Sequence, residues 1–221
     1  MKPDSTAAGV SRINNLTIGT EAKLDLKRNK LITETPVGTF SGGAYDGVHG
    51  LVKRAYGQGA WAGNGLTTSE NDASPTVGTT TIGVASASTI LFIAPTATGT
   101  WAGQSVTGTT TLAMYTYAGD LNFDGRVDAQ DYGIIDNWVQ FPGTSGYVNG
   151  DINYDGVIDA ADYGIIDNTI QLQGAPIPMT GSDVAGAGLQ AVPEPASLGV
   201  MAIASAGLLG RRRRRDSSSS R

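Results

Sequence analysis

Apolar and polar residues alternate, cluster and then repeat along this chain, and each regime predicts a different element. Between Ile13 and Glu34 the apolar positions come in short alternating bursts: Leu16-Thr-Ile18, Ala22-Lys-Leu-Asp-Leu26 and Leu31-Ile-Thr33. A period of two predicts short strands with one buried face. Strands this short, separated by polar corners, fit rungs of a β-solenoid or the edge of a small sandwich. Further on, Leu51-Val-Lys-Arg-Ala55 predicts a short amphipathic helix, and Thr80-Thr-Ile-Gly-Val84 and Thr89-Ile-Leu-Phe-Ile93 predict strands. Residues 109–117 read as another strand, with Leu112, Met114 and Thr116 alternating. The period then becomes helical: Tyr132, Ile135 and Val139, and later Tyr163, Ile166 and Ile170, predict helices from Tyr132 to about Gln140 and from Tyr163 to about Gln171. Trp138 is expected to cap their small core.

The two helices belong to a duplication. Residues 119–137 return as residues 150–168, shifted by 31 positions, with 14 of 19 aligned residues identical. Each copy sets oxygen-bearing side chains at loop positions one, three, five, nine and twelve. These are Asp120, Asn122, Asp124, Asp128 and Asp131 in the first loop, and Asp151, Asn153, Asp155, Asp159 and Asp162 in the second. Gly125 and Gly156 stand at position six, where the chain must turn sharply. Arg126 and Val157, at position seven, offer their backbone carbonyls. This is the spacing of a twelve-residue calcium loop, in which oxygens surround a hard cation. Two Ca²⁺ ions are expected, one per loop, with Val127 and Ile158 at position eight pairing across the loops. Ten of the chain's 20 acidic residues lie between Asp120 and Asp167, beside a single base, Arg126. Such crowding calls for a cation, and metal binding is expected to be coupled to folding.

Two features differ from an ordinary EF-hand. Position twelve is Asp instead of Glu, and no helix enters either loop: a strand precedes the first and turn residues 141–146 precede the second. A duplicated loop followed by one helix, closed by Asp, resembles a type I dockerin, the module that joins polysaccharide-degrading enzymes to cohesin-bearing scaffolds. The resemblance covers about 50 residues. It implies a small all-α EF-hand pair, two calcium ions and a cohesin as partner. Where family members carry a Ser-Thr-like pair, this chain has Ala129-Gln130 and Ala160-Ala161.

Composition narrows the remaining possibilities. A 40% hydrophobic content with 31 Gly in 221 residues points to β-rich, turn-rich structure. Absence of Cys excludes disulfides and thiolate metal sites. No basic cluster before the tail suggests nucleic acid as a partner. His49, the sole histidine, is expected to be a loop or packing residue, and no carboxylate pair in residues 35–105 suits glycoside hydrolysis. The chain is therefore read as non-catalytic. Trp61 and Trp101 raise a second reading, a stacking platform for polysaccharide.

The end of the chain has three parts in order: Val192-Pro193-Glu194-Pro195, an apolar run of 15 residues over 196–210, and five arginines including Arg211, Arg212 and Arg213. Arginines beyond an apolar helix stay on the cytoplasmic side. This order resembles a PEP-CTERM sorting signal, which implies recognition by an exosortase-type membrane protease and at least transient membrane anchoring. Met1-Lys-Pro-Asp-Ser-Thr6 lacks the apolar core of a secretory signal, so the chain is expected to continue a longer reading frame. Asn15-Leu-Thr-Ile18 and Ala22-Lys-Leu-Asp-Leu26 resemble closing rungs of large autotransporter-like β-helical surface proteins of planctomycete-like bacteria.

Together these readings predict a multi-part protein. Residues 1–115 form a β-rich region, solenoid- or sandwich-like. Residues 116–175 form the dockerin-like calcium pair, 176–191 a flexible linker, 192–215 the sorting segment with a hydrophobic helix, and 216–221 a disordered tail. The expected function is that of an exported, calcium-binding surface protein whose pair serves structure or docking, to a cohesin or a polysaccharide.

Overall fold

The computed structural model describes residues 9–178. Its centre is strand β10, and the elements before it are arranged around that strand. These are β1 (Val10–Ile13), β2 (Lys23–Asp25), β3 (Lys30–Thr33), β4 (Phe40–Ser41), β5 (Ala44–Tyr45), α1 (Gly47–Tyr56) and β6 (Gly65–Thr67). There follow β7 (Thr80–Ser86), α2 (Ala87–Leu91), β8 (Thr98–Trp101), β9 (Gln104–Thr107) and β10 (Thr111–Tyr117), then helices α3 (Ala129–Trp138) and α4 (Ala160–Leu172).

The main sheet has the order β1-β3-β10-β7. β1 and β3 are parallel, with Val10 opposite Lys30, and β10 is antiparallel to both β3 and β7. All seven residues of β10 are buried, because the strand is central and covered on both faces. Both β10 threonine hydroxyls that this burial encloses, Thr111 and Thr116, have partners: Thr111 Oγ1 donates to Thr35 O at 2.7 Å and Thr116 Oγ1 to Asp120 Oδ2. Helix α1 buries Val48, His49, Val52 and Ala55. Strand β6 passes so close beneath it that a Cβ at Gly65 would lie 2.1 Å from Leu51 O, so only glycine fits there.

The first expectation to be corrected is the all-α pair. The two loop–helix units form no separate all-α dockerin-like domain; they are built onto the β-sheet and share its core. Strand β10 runs directly into the first loop. Phe123 and Tyr147 both press on Gly83 of β7, where a Cβ would meet each ring at 2.7 Å. Tyr154 Oη donates to Ile82 O at 2.5 Å, and the rings of Tyr147 and Tyr154 stack at 5.8 Å. All three aromatic side chains are fully buried. At roughly 2–3 kcal/mol for each ring buried, packing on the sheet and on one another ties both loops to its core.

Other differences have local causes. Residues 89–93 form no strand: Ser86 Oγ accepts from Thr89 N at 3.2 Å and starts the short helix α2. Phe92 ends that helix in a left-handed conformation, φ 53°, with its side chain exposed. Residues 16–18 make no strand, and the sheet continues from its one parallel pair into antiparallel pairs in place of stacked solenoid rungs. Trp138 is exposed and caps no core, whereas Trp61 and Trp101 are buried at 8% and 3% exposure and offer no stacking face. His49 packs inside α1, as a packing residue should. Among the described residues no helix is long and apolar enough to cross a membrane, and the hydrophobic helix expected over 196–210 lies outside them.

Candidate metal centre

Both acidic loops fold into the same ring of bonds. Asp120 Oδ1 accepts from Asp124 N at 3.0 Å, and its Oδ2 accepts from Gly125 N at 3.0 Å. Asp151 repeats this with Asp155 N at 3.0 Å and Gly156 N at 2.9 Å. Asn122 Oδ1 takes Asp124 N at 2.9 Å, as Asn153 Oδ1 takes Asp155 N at 2.7 Å. The carboxylate at position five closes the next turn, Asp124 Oδ1 on Arg126 N at 3.1 Å and Asp155 Oδ1 on Val157 N at 2.9 Å.

Position twelve ties the loop to its helix. Asp131 Oδ1 accepts from Leu121 N at 2.8 Å and Asn122 N at 3.3 Å, and its Oδ2 accepts from Asp128 N at 2.9 Å. Asp162 does the same with Ile152 N, Asn153 N and Asp159 N at 2.8, 3.1 and 3.0 Å. Asp128 and Asp159 cap α3 and α4, completing capping boxes with Asp131 and Asp162. The shorter Asp at position twelve serves as both loop closure and helix cap.

The backbone geometry accounts for the glycines and for a residue class the spacing rules do not include. Gly125 and Gly156 have φ of 87° and 92°. Position four is also left-handed, Phe123 at 62° and Tyr154 at 59°. That conformation is unfavourable for an aromatic residue, and it is held because each ring is anchored in the core. A Phe/Tyr match at position four in both copies is the one sequence signal that marks these anchors.

Burial dominates the electrostatics. Asp120, Asp131, Asp151 and Asp162 are all fully buried. The ion pairs among the described residues do not reach any of the four. Burial pushes the Asp120 carboxyl up to about 8, against the Thr116 hydroxyl bond that lowers it, and the nearby Asp131 and Asp124 charges add to the rise. Asp131 and Asp162 are pushed up to about 6, again chiefly by burial, and Asp151 is raised for the same reason.

Among the described residues, no three His, Cys, Asp or Glu side chains converge into a ready-made metal cluster. The carboxylates are gathered around loop N–H groups instead. Asp120, Asn122, Asp124 and Asp131 are joined in one hydrogen-bonded ring in the first loop, as are Asp151, Asn153, Asp155 and Asp162 in the second. Asp128 and Asp159 stand at the helix entries. What the loops present is an all-oxygen donor set whose four buried carboxylates take part in no ion pair among the described residues, with Arg126 beside Asp124 at 3.9 Å and Lys53 Nζ on Asn153 O at 3.4 Å at the periphery; such a set fits a hard divalent cation.

Elements outside the loops cover them, and here the sequence reading missed residues. Val127 and Ile158 do not pair. Gln173 holds the Val127 backbone instead, accepting from Val127 N at 2.8 Å and donating to Val127 O at 2.7 Å. Ile177 N donates to Gly125 O at 2.7 Å, and Tyr117 Oη donates to Ala175 O at 3.0 Å. Residues 173–177 therefore lie against the first loop, Ile177 among them although a linker is expected from 176 onward. Over the second loop, the Phe40 ring sits where a Cβ of Gly156 would be, 2.3 Å away. Tyr45 Oη donates to Asp151 Oδ2 and accepts from Gly146 N at 2.6 Å.

The sorting-motif residues Val192, Pro193, Glu194, Pro195, Arg211, Arg212 and Arg213 lie outside the described residues. No curated protein and no solved structure matches the chain. Residues 191–215 match the PEP-CTERM protein-sorting motif. The chain thus carries the C-terminal sorting signal of an exported protein processed at the cell envelope, a signal of the kind that exosortase recognises.

Proposed function

We propose that the two acidic loops each bind one calcium ion, and that these ions hold together the sheet-anchored body of an exported, non-catalytic envelope protein. The observation that carries this reading is the set of four fully buried carboxylates, Asp120, Asp131, Asp151 and Asp162, to which no ion pair among the described residues extends. A buried carboxylate with no counter-charge is costly even when hydrogen-bonded, so it gains from taking up a proton or acquiring a cation. Calcium supplies positive charge to an all-oxygen shell, and outside the cell its concentration suits loops with dissociation constants on the order of 10⁻⁴–10⁻³ M.

The chain's residues have distinct parts in this scheme. Asp120 and Asp151 are the innermost ligands, and Asn122, Asp124, Asn153 and Asp155 supply the next oxygens. Asp128 and Asp159 orient the helices, while Asp131 and Asp162 close the shells. Arg126 and Val157 contribute carbonyls, as the loop spacing requires.

Thermal unfolding of the full chain, followed by circular dichroism in millimolar calcium and in excess chelator, tests the proposal. Because the loops share the core of the sheet, strand and helix signals should melt together, at a markedly lower temperature in chelator. An unchanged melting temperature would rule the proposal out.

A further inference from the structure

The two loops have nearly the same sequence, yet each receives one additional hydrogen bond that the repeat itself cannot provide. Thr116 Oγ1, on β10, donates to Asp120 Oδ2. Tyr45 Oη, on β5 and 106 residues away in sequence, donates to Asp151 Oδ2. In both cases the oxygen that receives the hydroxyl is the one already bonded to the position-six N–H, Gly125 N at 3.0 Å or Gly156 N at 2.9 Å. The other oxygen, Oδ1, carries a single N–H bond at 3.0 Å from Asp124 or Asp155.

The consequence follows from counting lone pairs. A carboxylate oxygen accepts about two bonds in good geometry. Oδ2 is thus filled in both loops, while Oδ1 retains one acceptor site. The hydroxyl also fixes rotation of the carboxylate about its Cβ–Cγ bond, because two donors on one oxygen lock the plane of the group.

We infer that Thr116 and Tyr45 are the positioning residues of the two calcium sites, each turning its loop's first carboxylate to present Oδ1 alone to the ion. This rests on the calcium reading above and adds to it that elements outside the repeat, not the repeat itself, set the affinity of each loop. The two sites are then tuned separately: the first by a strand that leads straight into its loop, the second by the β4–β5 hairpin. A hydroxyl that merely filled space would be replaceable by its isostere. A hydroxyl that orients a ligand is not, and loss of such outer partners typically weakens metal binding by about 10–100-fold.

Calcium titration calorimetry on the full chain, with wild type, Thr116→Val, Thr116→Ser and Tyr45→Phe, tests the inference. Melting temperatures in chelator accompany each titration as a measure of folding. Wild type should bind two ions. Thr116→Val should weaken one of them about tenfold or more, Thr116→Ser should restore it, and Tyr45→Phe should weaken the other alone. If Thr116→Val and Tyr45→Phe both bind two ions as wild type does, the positioning role is wrong while the calcium reading stands. If either variant weakens both sites equally together with a fall in chelator melting temperature, its hydroxyl is structural and the inference fails. Absence of binding by wild type defeats the calcium reading itself, and the inference with it.

Discussion

Tyr163, at the start of α4, donates its hydroxyl to Asp136 Oδ1 on α3 at 2.6 Å. The repeat makes the reciprocal bond: Tyr132, at the start of α3, donates to Asp167 on α4. A residue in the first turn of each helix reaches one a turn further along the other, and the two bonds are reciprocal, so the two helices run antiparallel. Their loops therefore lie at opposite ends of the pair. This explains why Val127 and Ile158 never meet, and why each loop is covered by a different part of the chain.

Both tyrosine–aspartate bonds lie at the partly exposed edge of the helix pair, where solvent competes with them. Replacing Tyr132 and Tyr163 by Phe together should cost about 1–2 kcal/mol in all and leave calcium stoichiometry unchanged. Urea denaturation in calcium measures the first, and calorimetric titration the second.

The position-six glycines should differ in their tolerance of alanine. A Cβ at Gly125 would lie 1.9 Å from the backbone carbonyl oxygen of Ile177, a residue whose own N–H is tied to Gly125 O. At Gly156 the obstacle is the half-buried Phe40 ring, which can move. Gly125→Ala should destabilise the protein by about 2–3 kcal/mol or more, combining left-handed strain with a clash. Gly156→Ala should cost less, and Phe40→Ala added to it should recover part of the loss. Equilibrium denaturation of the three variants decides the order.

His49 adds an acid sensitivity of its own to that of the loop carboxylates. It lies between the rings of Tyr45 and Tyr154, at 5.1 and 5.7 Å, and its Nδ1 meets Gly38 O at 3.2 Å. Burial lowers its pKa from 6.5 to about 4, against small opposing effects of the Gly38 and Val84 backbone and of Asp46. The folded state thus prefers the neutral ring. Its contribution is complete above pH 6.5 and is lost as pH falls toward about 4. Set against His49→Phe in chelator, wild type should lose up to about 3 kcal/mol more across that window. Parallel stability curves for the two proteins would show that His49 does not titrate in this range.

What was legible in the sequence is what short-range spacing encodes. Loop positions one to twelve, the glycines at six, the following helices and strands such as Thr80–Ser86 and Thr111–Tyr117 all follow from residues within a dozen positions of each other. The context of the loops was not legible. Nothing near Asp151 announces Tyr45, and nothing near Gly83 announces that Phe123 and Tyr147 will seat there. The same blindness made a self-contained helical pair of a unit whose aromatic residues need the sheet. Residues 89–93 misled for a related reason: an apolar run was read as a strand, while Ser86 capped a helix at its start.

The central claim is that two cations fill the two acidic loops, and counting bound ions tests it most directly. Calcium titration calorimetry on the full chain should give two ions per chain, falling to one in Asp120→Asn and one in Asp151→Asn, with the surviving site in each being the unmutated loop. No heat with the wild-type chain at millimolar calcium, or an unchanged stoichiometry in both variants, would contradict it.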